Sequence, residues 1–163
     1  MAIEDASEDD VEGILAIFND VIATSTSVFS EEPVSLENRL RWFRDRRARG
    51  FPVLVAREGT AVAGFGSFGD FRAPTGYRFT VEHSVHVRAD RRGQGVGTAL
   101  IEALVERARS AGVHTMIAGI DAQNEGSLRL HERLGFVRCA RIPEAGFKWG
   151  RWLDLVFLAR ILS

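Results

Sequence analysis

Apolar residues recur along this chain with two periods, one helical and one strand-like. A short strand begins at Ile3. Val11, Ile14, Leu15, Phe18, Val21 and Ile22 then mark an amphipathic helix, with Ser7 or Asp9 as its cap. Thr24 to Ser27 ends it as a polar loop. Leu36, Leu40 and Phe43 predict a second helix, ended near Gly50. Phe51 to Ala56 and Ala61 to Phe68 read as strands around the Glu58-Gly59 turn, a hairpin signal. Gly69 to Tyr77 is a loop. The alternation from Val81 to Val87 is a further strand. A strongly periodic helix runs to Ala111, with Ala99, Leu100, Ala103, Leu104, Ala108 and Ala111 on one face. His114 to Ile120 is a nearly continuous apolar strand, and Ser127 to Leu134 a short helix stopped by Gly135. Phe136 to Ile142 and Asp154 to Ile161 are strands separated by a loop from Pro143 to Leu153. No internal repeat, low-complexity tract or linker interrupts this order. It predicts a single mixed α/β domain over residues 1–163, with helices packed on a central sheet.

Composition narrows the class. At 163 residues, with 45% hydrophobic residues, the chain can bury a sizeable core without disulfides or metal. A formal net charge of −1 predicts no general attraction to nucleic acid or to an acidic membrane. Lys148 is the only lysine. Cys139 is the only cysteine, so no internal disulfide forms, which suits a reducing compartment. Its strand-like setting predicts a small buried hydrophobe. The acidic start (Glu4, Asp5, Glu8, Asp9, Asp10) is unlike a secretory signal, and no apolar run reaches the roughly 18 residues of a membrane span. A cytoplasmic protein is the simplest expectation.

The most informative segment is Arg91-Arg92-Gly93-Gln94-Gly95-Val96-Gly97-Thr98, at a strand-to-helix junction. Glycines let the backbone approach a phosphate, and the helix N-terminus attracts it through free N–H groups and its dipole. A Walker loop is excluded, because no Lys-Ser or Lys-Thr follows Gly97. A dinucleotide fingerprint is broken by Thr98, yet Asp121, ending the next strand, keeps that reading open. Arg92 to Gly97 also matches the R/Q-x-x-G-x-G/A loop of acyl-CoA-dependent N-acetyltransferases, which grips the pyrophosphate of coenzyme A. A plain glycine-rich turn capping a helix is the fourth reading. His83 and His86, three apart on a strand, point to opposite faces, and no metal-binding spacing occurs, so no metal is expected.

The order of elements, the Arg92 to Gly97 loop, and Asn124 with Leu130-His131-Glu132-Arg133-Leu134-Gly135-Phe136 together resemble the GCN5-related N-acetyltransferase (GNAT) superfamily over essentially the whole chain. Thr80-Val81-Glu82-His83-Ser84-Val85 and Gly146 to Asp154 resemble one branch of it, the phosphinothricin and methionine sulfoximine/sulfone N-acetyltransferases. The resemblance implies a mostly antiparallel sheet with a splayed strand pair, flanked by helices. It implies acetyl-CoA as co-substrate, a small amine as acceptor, direct attack in a ternary complex, and a homodimer.

The resemblance also implies site residues. Glu82 is the general base, against the alternative of a solvent-facing member of the polar row Thr80, Glu82, Ser84, His86. His131, where many superfamily members carry tyrosine, is implied as the acid for the departing thiolate, or else as a structural histidine. Val85, His86 and Val87 on the splayed strand are implied to bind the cofactor arm and thioester. Gly93, Gln94, Gly95, Val96, Gly97 and Thr98 hold the pyrophosphate through their amides, with Arg92 adding charge. Asn124 and Ser127 hold the cofactor arm, Asn124 also reading as a helix cap. On the acceptor side are Phe29, Arg72, Ala73, Pro74, Glu82, His83 and Ser84, Arg72 pairing with the acceptor's carboxylate or an acidic side-chain group, or else standing as an exposed loop arginine. Two departures fall there: the branch has Trp-Arg-Pro-Phe where this chain has Phe71-Arg72-Ala73-Pro74, and tyrosine in place of His86. Other acceptors (another amine, a polyamine, a protein N-terminus) and a non-catalytic coenzyme-binding role remain as alternatives.

Overall fold

The computed structural model describes residues Met1 to Ser163. In chain order it contains β1 (Ala2–Asp5), α1 (Val11–Thr24), α2 (Leu36–Ala48), β2 (Val53–Glu58), β3 (Ala61–Asp70), β4 (Thr80–Val87), α3 (Val96–Ser110), β5 (Thr115–Asp121), α4 (Glu125–Arg133), β6 (Val137–Lys148) and β7 (Arg151–Ile161). The seven strands form one sheet in the order β1-β2-β3-β4-β5-β7-β6. Every neighbouring pair is antiparallel except β4 and β5. The mostly antiparallel mixed α/β architecture expected from the sequence is what the chain adopts.

Strand alternation sends side chains to two cores. Val53, Val55 and Phe65 pack beneath α1 and α2 with Ile14, Ile17, Val21 and Phe43. Leu54, Val81, Met116 and Ala118 pack beneath α3 and α4 with Leu100, Leu104 and Leu128. The buried face of α3 includes Ile101 and Val105, whereas Ala111 is exposed beyond the helix end, so the apolar stripe is rotated from the one the alanines suggested. The entry to α1 is fastened at Ser7, whose N–H donates to Asp10 Oδ2 at 2.8 Å; Asp9 takes no part.

Two expectations are corrected. The segment from Pro143 to Leu153 is not a loop: β6 and β7 run through it as a long hairpin. Its turn is Trp149-Gly150, with φ of +53° and +75°. Two successive positive φ angles suit the right-handed twist of a two-residue hairpin, and Trp-Gly is not the sequence signal usually associated with it. Pro143 is tolerated because β6 lies at the sheet edge, and the register shifts between Ile142 and Gly146. Cys139, expected to be buried, is exposed on that same edge strand. Edge position decides its exposure, and local sequence does not encode edge position.

The feature that positions the site is the parting of β4 and β5. They pair only at Thr80↔Thr115, Val81↔Met116 and Glu82↔Ile117, after which β5 continues beside β7. The Arg88 N–H bonds to the Ala63 carbonyl of β3 at 2.8 Å. Alternation therefore aims the backbone groups of His83, Val85 and Val87 at the gap.

Candidate active site

The gap between β4 and β5 opens into a cleft of about 710 Å³ lined by Val85, His86, Val87, the glycine loop, Asn124 and Ser127. At its outer end the loop turns into α3. Gly93 and Gly95 take φ of +71° and +84°, which side-chain-bearing residues rarely adopt. The N-terminus of α3 has no side-chain cap. None of the six successive amides from Gly93 to Thr98 donates to a carbonyl or side chain of the protein. Six N–H groups converging on a helix N-terminus form an anion cradle. Arg92 reaches back to the Val87 carbonyl through Nε at 3.2 Å and is half exposed. Arg91 is committed elsewhere, to Glu58 at 2.7 Å and to Asp90. Arg133, not singled out from the sequence, lines the same cleft.

At the inner end a smaller cavity of about 260 Å³ reaches from Phe18 of α1 and the loop residues Ser27 and Val28, past Ser84 and Gly119, to His131 of α4. Glu82 stands at the last paired position before the strands part. Burial raises its carboxyl above the ordinary glutamate range, and the Arg72 guanidinium opposes that rise. Gly119 makes room for it: a Cβ there would lie 2.9 Å from Glu82 Oε2. The sequence held a signal for this, since an isolated glycine in an apolar strand marks a close approach.

His83 and His131 meet across the other face of the gap. His131 Nδ1 lies 2.7 Å from the Ser127 carbonyl oxygen, which only accepts, so that nitrogen carries the proton. Its Nε2 is then an acceptor, 3.1 Å from His83 Nε2, which must donate. His83 Nδ1 is left buried without a partner. Burial, with His131 and His86 nearby, holds His83 down to about 3, and burial also lowers His131 despite the Ser127 carbonyl. Both rings are neutral near pH 7, and His131 has no free N–H facing the cleft in this arrangement. His86 sits between the rings of Phe18 and Phe65, and burial with Arg39 and Arg92 nearby holds it to about 4.

The structure therefore places Val85, His86, Val87, Asn124 and Ser127 on the larger cleft and Ser84, Val85, His86, Asn124, Ser127 and His131 on the smaller cavity, with Glu82 lining neither but packed against Gly119 of the smaller one. Asn124 also caps α4, its Oδ1 accepting from the Ser127 N–H at 3.2 Å. The other acceptor-side expectations fare differently. Phe29 packs on Gly146 of β6 and lines neither cavity. His83 lines the smaller cavity, with its ring against His131 and Phe136. Arg72, Ala73 and Pro74 lie exposed on the loop after β3, and only the field of Arg72 reaches the site.

Comparison with known proteins agrees with this geometry. The Acetyltransferase (GNAT) family matches residues 14–136. An L-methionine sulfoximine/L-methionine sulfone acetyltransferase of Pseudomonas aeruginosa is 49% identical, covering 96% of this chain and 92% of that protein. A structure of yncA, a putative acetyltransferase from Salmonella typhimurium with acetyl-CoA bound, is 42% identical with a TM-score of 0.96, covering 99% and 94% of the two chains. A ribosomal-protein-alanine N-acetyltransferase from Brucella melitensis is 43% identical with a TM-score of 0.98, covering 99% and 100%. The dinucleotide reading of the glycine loop falls away, and acetyl-CoA is the co-substrate. With its parted strands, its cradle of free amides and this agreement over most of its length, the chain belongs to the GNAT family of acetyltransferases.

Proposed function

We propose that this enzyme transfers acetyl from acetyl-CoA to the α-amine of a small amino acid or analogue, of the methionine sulfoximine, methionine sulfone or phosphinothricin kind. The observation that carries the reading is Glu82: a half-buried carboxylate at the point where β4 and β5 part, packed against Gly119, which lines a cavity of about 260 Å³. That volume suits an amino acid better than a folded polypeptide.

In this reading the amides of Gly93 to Thr98, with Arg92, hold the pyrophosphate. Asn124, Ser127 and the exposed edge at Val85 and Val87 align the cofactor arm. The thioester supplies an activated acetyl group. Glu82 takes the proton from the arriving ammonium, directly or through a water, and Arg72 draws the acceptor carboxylate to that side. Backbone N–H groups on the β4 edge face the acetyl carbonyl as it gathers negative charge. A neutral His131 hydrogen-bonded at both nitrogens is a weak proton source, so the thiolate draws less help from it than the amine draws from Glu82. His131→Phe accordingly costs less turnover than Glu82→Gln.

The test is release of free thiol from acetyl-CoA with phosphinothricin, methionine sulfoximine, methionine sulfone, a polyamine and an alanine-initiated peptide as acceptors. Transfer to the amino-acid analogues, lost in Glu82→Gln, supports the proposal. Transfer to the peptide alone moves the function to protein N-termini, and binding of acetyl-CoA without transfer to any amine leaves a coenzyme-binding domain.

Residues 1–163 act in this reading as one catalytic unit, and the exposed, unpaired Cys139 is in keeping with a cytoplasmic location. We also place a second copy of the chain against the β6–β7 hairpin, where Val137, Phe147 and Trp152 are at least half exposed. Light scattering that returns the monomer mass overturns this.

A further inference from the structure

Lys148, the only lysine, is completely buried. Its Nζ donates to the carbonyls of Ile22 at 2.7 Å, Ser25 at 2.7 Å and Val28 at 2.9 Å. An ammonium has three protons, and all three are used. The Ile22 and Ser25 oxygens belong to the C-terminal end of α1, where aligned peptide dipoles leave partial negative charge. The cation is thus compensated without a carboxylate in contact, and the Trp149 ring adds a face at 4.6 Å.

The same hairpin grips the same loop twice more. The Trp149 N–H donates to Glu31 Oε1 at 2.8 Å. Phe29 lies on Gly146 so closely that a Cβ there would stand 2.3 Å from its ring. From β5, the Asp121 carboxylate accepts from the Thr26 hydroxyl. The stretch from Ile22 to Glu31 is therefore fastened from β5, β6 and the hairpin turn. Between these fastenings, Ser25 and Ser27 line the large cleft, and Ser27 and Val28 line the small one.

We propose that Lys148 is a positioning residue for the acceptor: it ties the loop after α1 to the β6–β7 hairpin and so fixes the wall that Ser27 and Val28 present to the incoming amine. The proposal rests on the acceptor reading above. The tie keeps the length of Lys148 but loses its charge in Lys148→Met. Steady-state kinetics should then show the acceptor KM raised about tenfold, with kcat and the acetyl-CoA KM within about twofold. Hydrogen exchange should quicken at residues 25–31 and nowhere in the sheet. Gly146→Ala displaces Phe29 while keeping the ammonium, and should give the same pattern more weakly; it decides the matter if Lys148→Met does not fold. A lower melting temperature with an unchanged acceptor KM and unchanged exchange at 25–31 would make Lys148 an ordinary core residue and overturn the proposal. If the wild-type enzyme acetylates no amine offered, the acceptor reading fails, while the exchange measurement still tests the tie.

Discussion

Glu82 shows how one side chain's setting becomes a rate profile. Burial disfavours its charged form, and the nearby Arg72 partly restores it. As the proposed base, Glu82 must be unprotonated to act, so the acidic limb of kcat/KM should lie above the ordinary glutamate range. Removing the opposing cation in Arg72→Ala should move that limb to still higher pH. Glu82→Gln should abolish the limb and lower kcat by about a hundredfold or more. A limb that stays in place in Arg72→Ala would show that the two groups do not communicate. Glu82 was legible as a candidate because Thr80-Val81-Glu82, in the strand before the glycine loop, resembles a motif of the branch. Gly119 was legible only as a glycine awaiting a close neighbour; that the neighbour is Glu82 was not, because the contact joins two strands distant in sequence.

At the scale of elements, the N-terminus of α3 is the part of the site built almost wholly from backbone. Thr98 is the third helical residue, and its N–H has no acceptor within the protein. Proline is tolerated in a helix's first turn because such an N–H is not used internally. Thr98→Pro should therefore leave the unfolding midpoint nearly unchanged while weakening acetyl-CoA binding by about 1.5–3 kcal/mol, the worth of a hydrogen bond to a charged group. Titration calorimetry beside a denaturation curve separates the two effects. The cradle was readable from glycine spacing because its geometry is local. The β6–β7 hairpin was not, since its turn lacks the familiar residue pair and its proline sits where only an edge strand permits it.

For the molecule as a whole, three histidines, His83 and His131 buried and His86 partly so, contribute to the response to acid. His83, His86 and His131 are held below the ordinary value of 6.5, the first two to about 3 and about 4. They stay neutral in the folded chain, while an unfolded chain protonates them. The unfolded state thus binds more protons as pH falls below about 6.5, and stability falls with it. The slope approaches about 1.4 kcal/mol per pH unit for each histidine. Urea unfolding between neutral pH and pH 4 checks this, and His86→Phe should flatten the curve. The burial of Lys148 has another consequence. With every ammonium proton engaged and no exposed surface, the folded chain offers no lysine amine to its own co-substrate. Mass spectrometry after incubation with acetyl-CoA should find Lys148 unmodified in the native protein and modified only when the chain is unfolded first.

Periodicity and turn residues determined most of the helices and strands, because these depend on neighbours along the chain. Glycine spacing located the loop of free amides at the start of α3 for the same reason. Which strand forms the edge, where β4 and β5 part, that His83 meets His131 rather than His86, and that Lys148 reaches three carbonyls more than a hundred residues away were decided only by tertiary structure. Each depends on which distant segments the sheet brings side by side, and a one-dimensional pattern carries no record of that pairing.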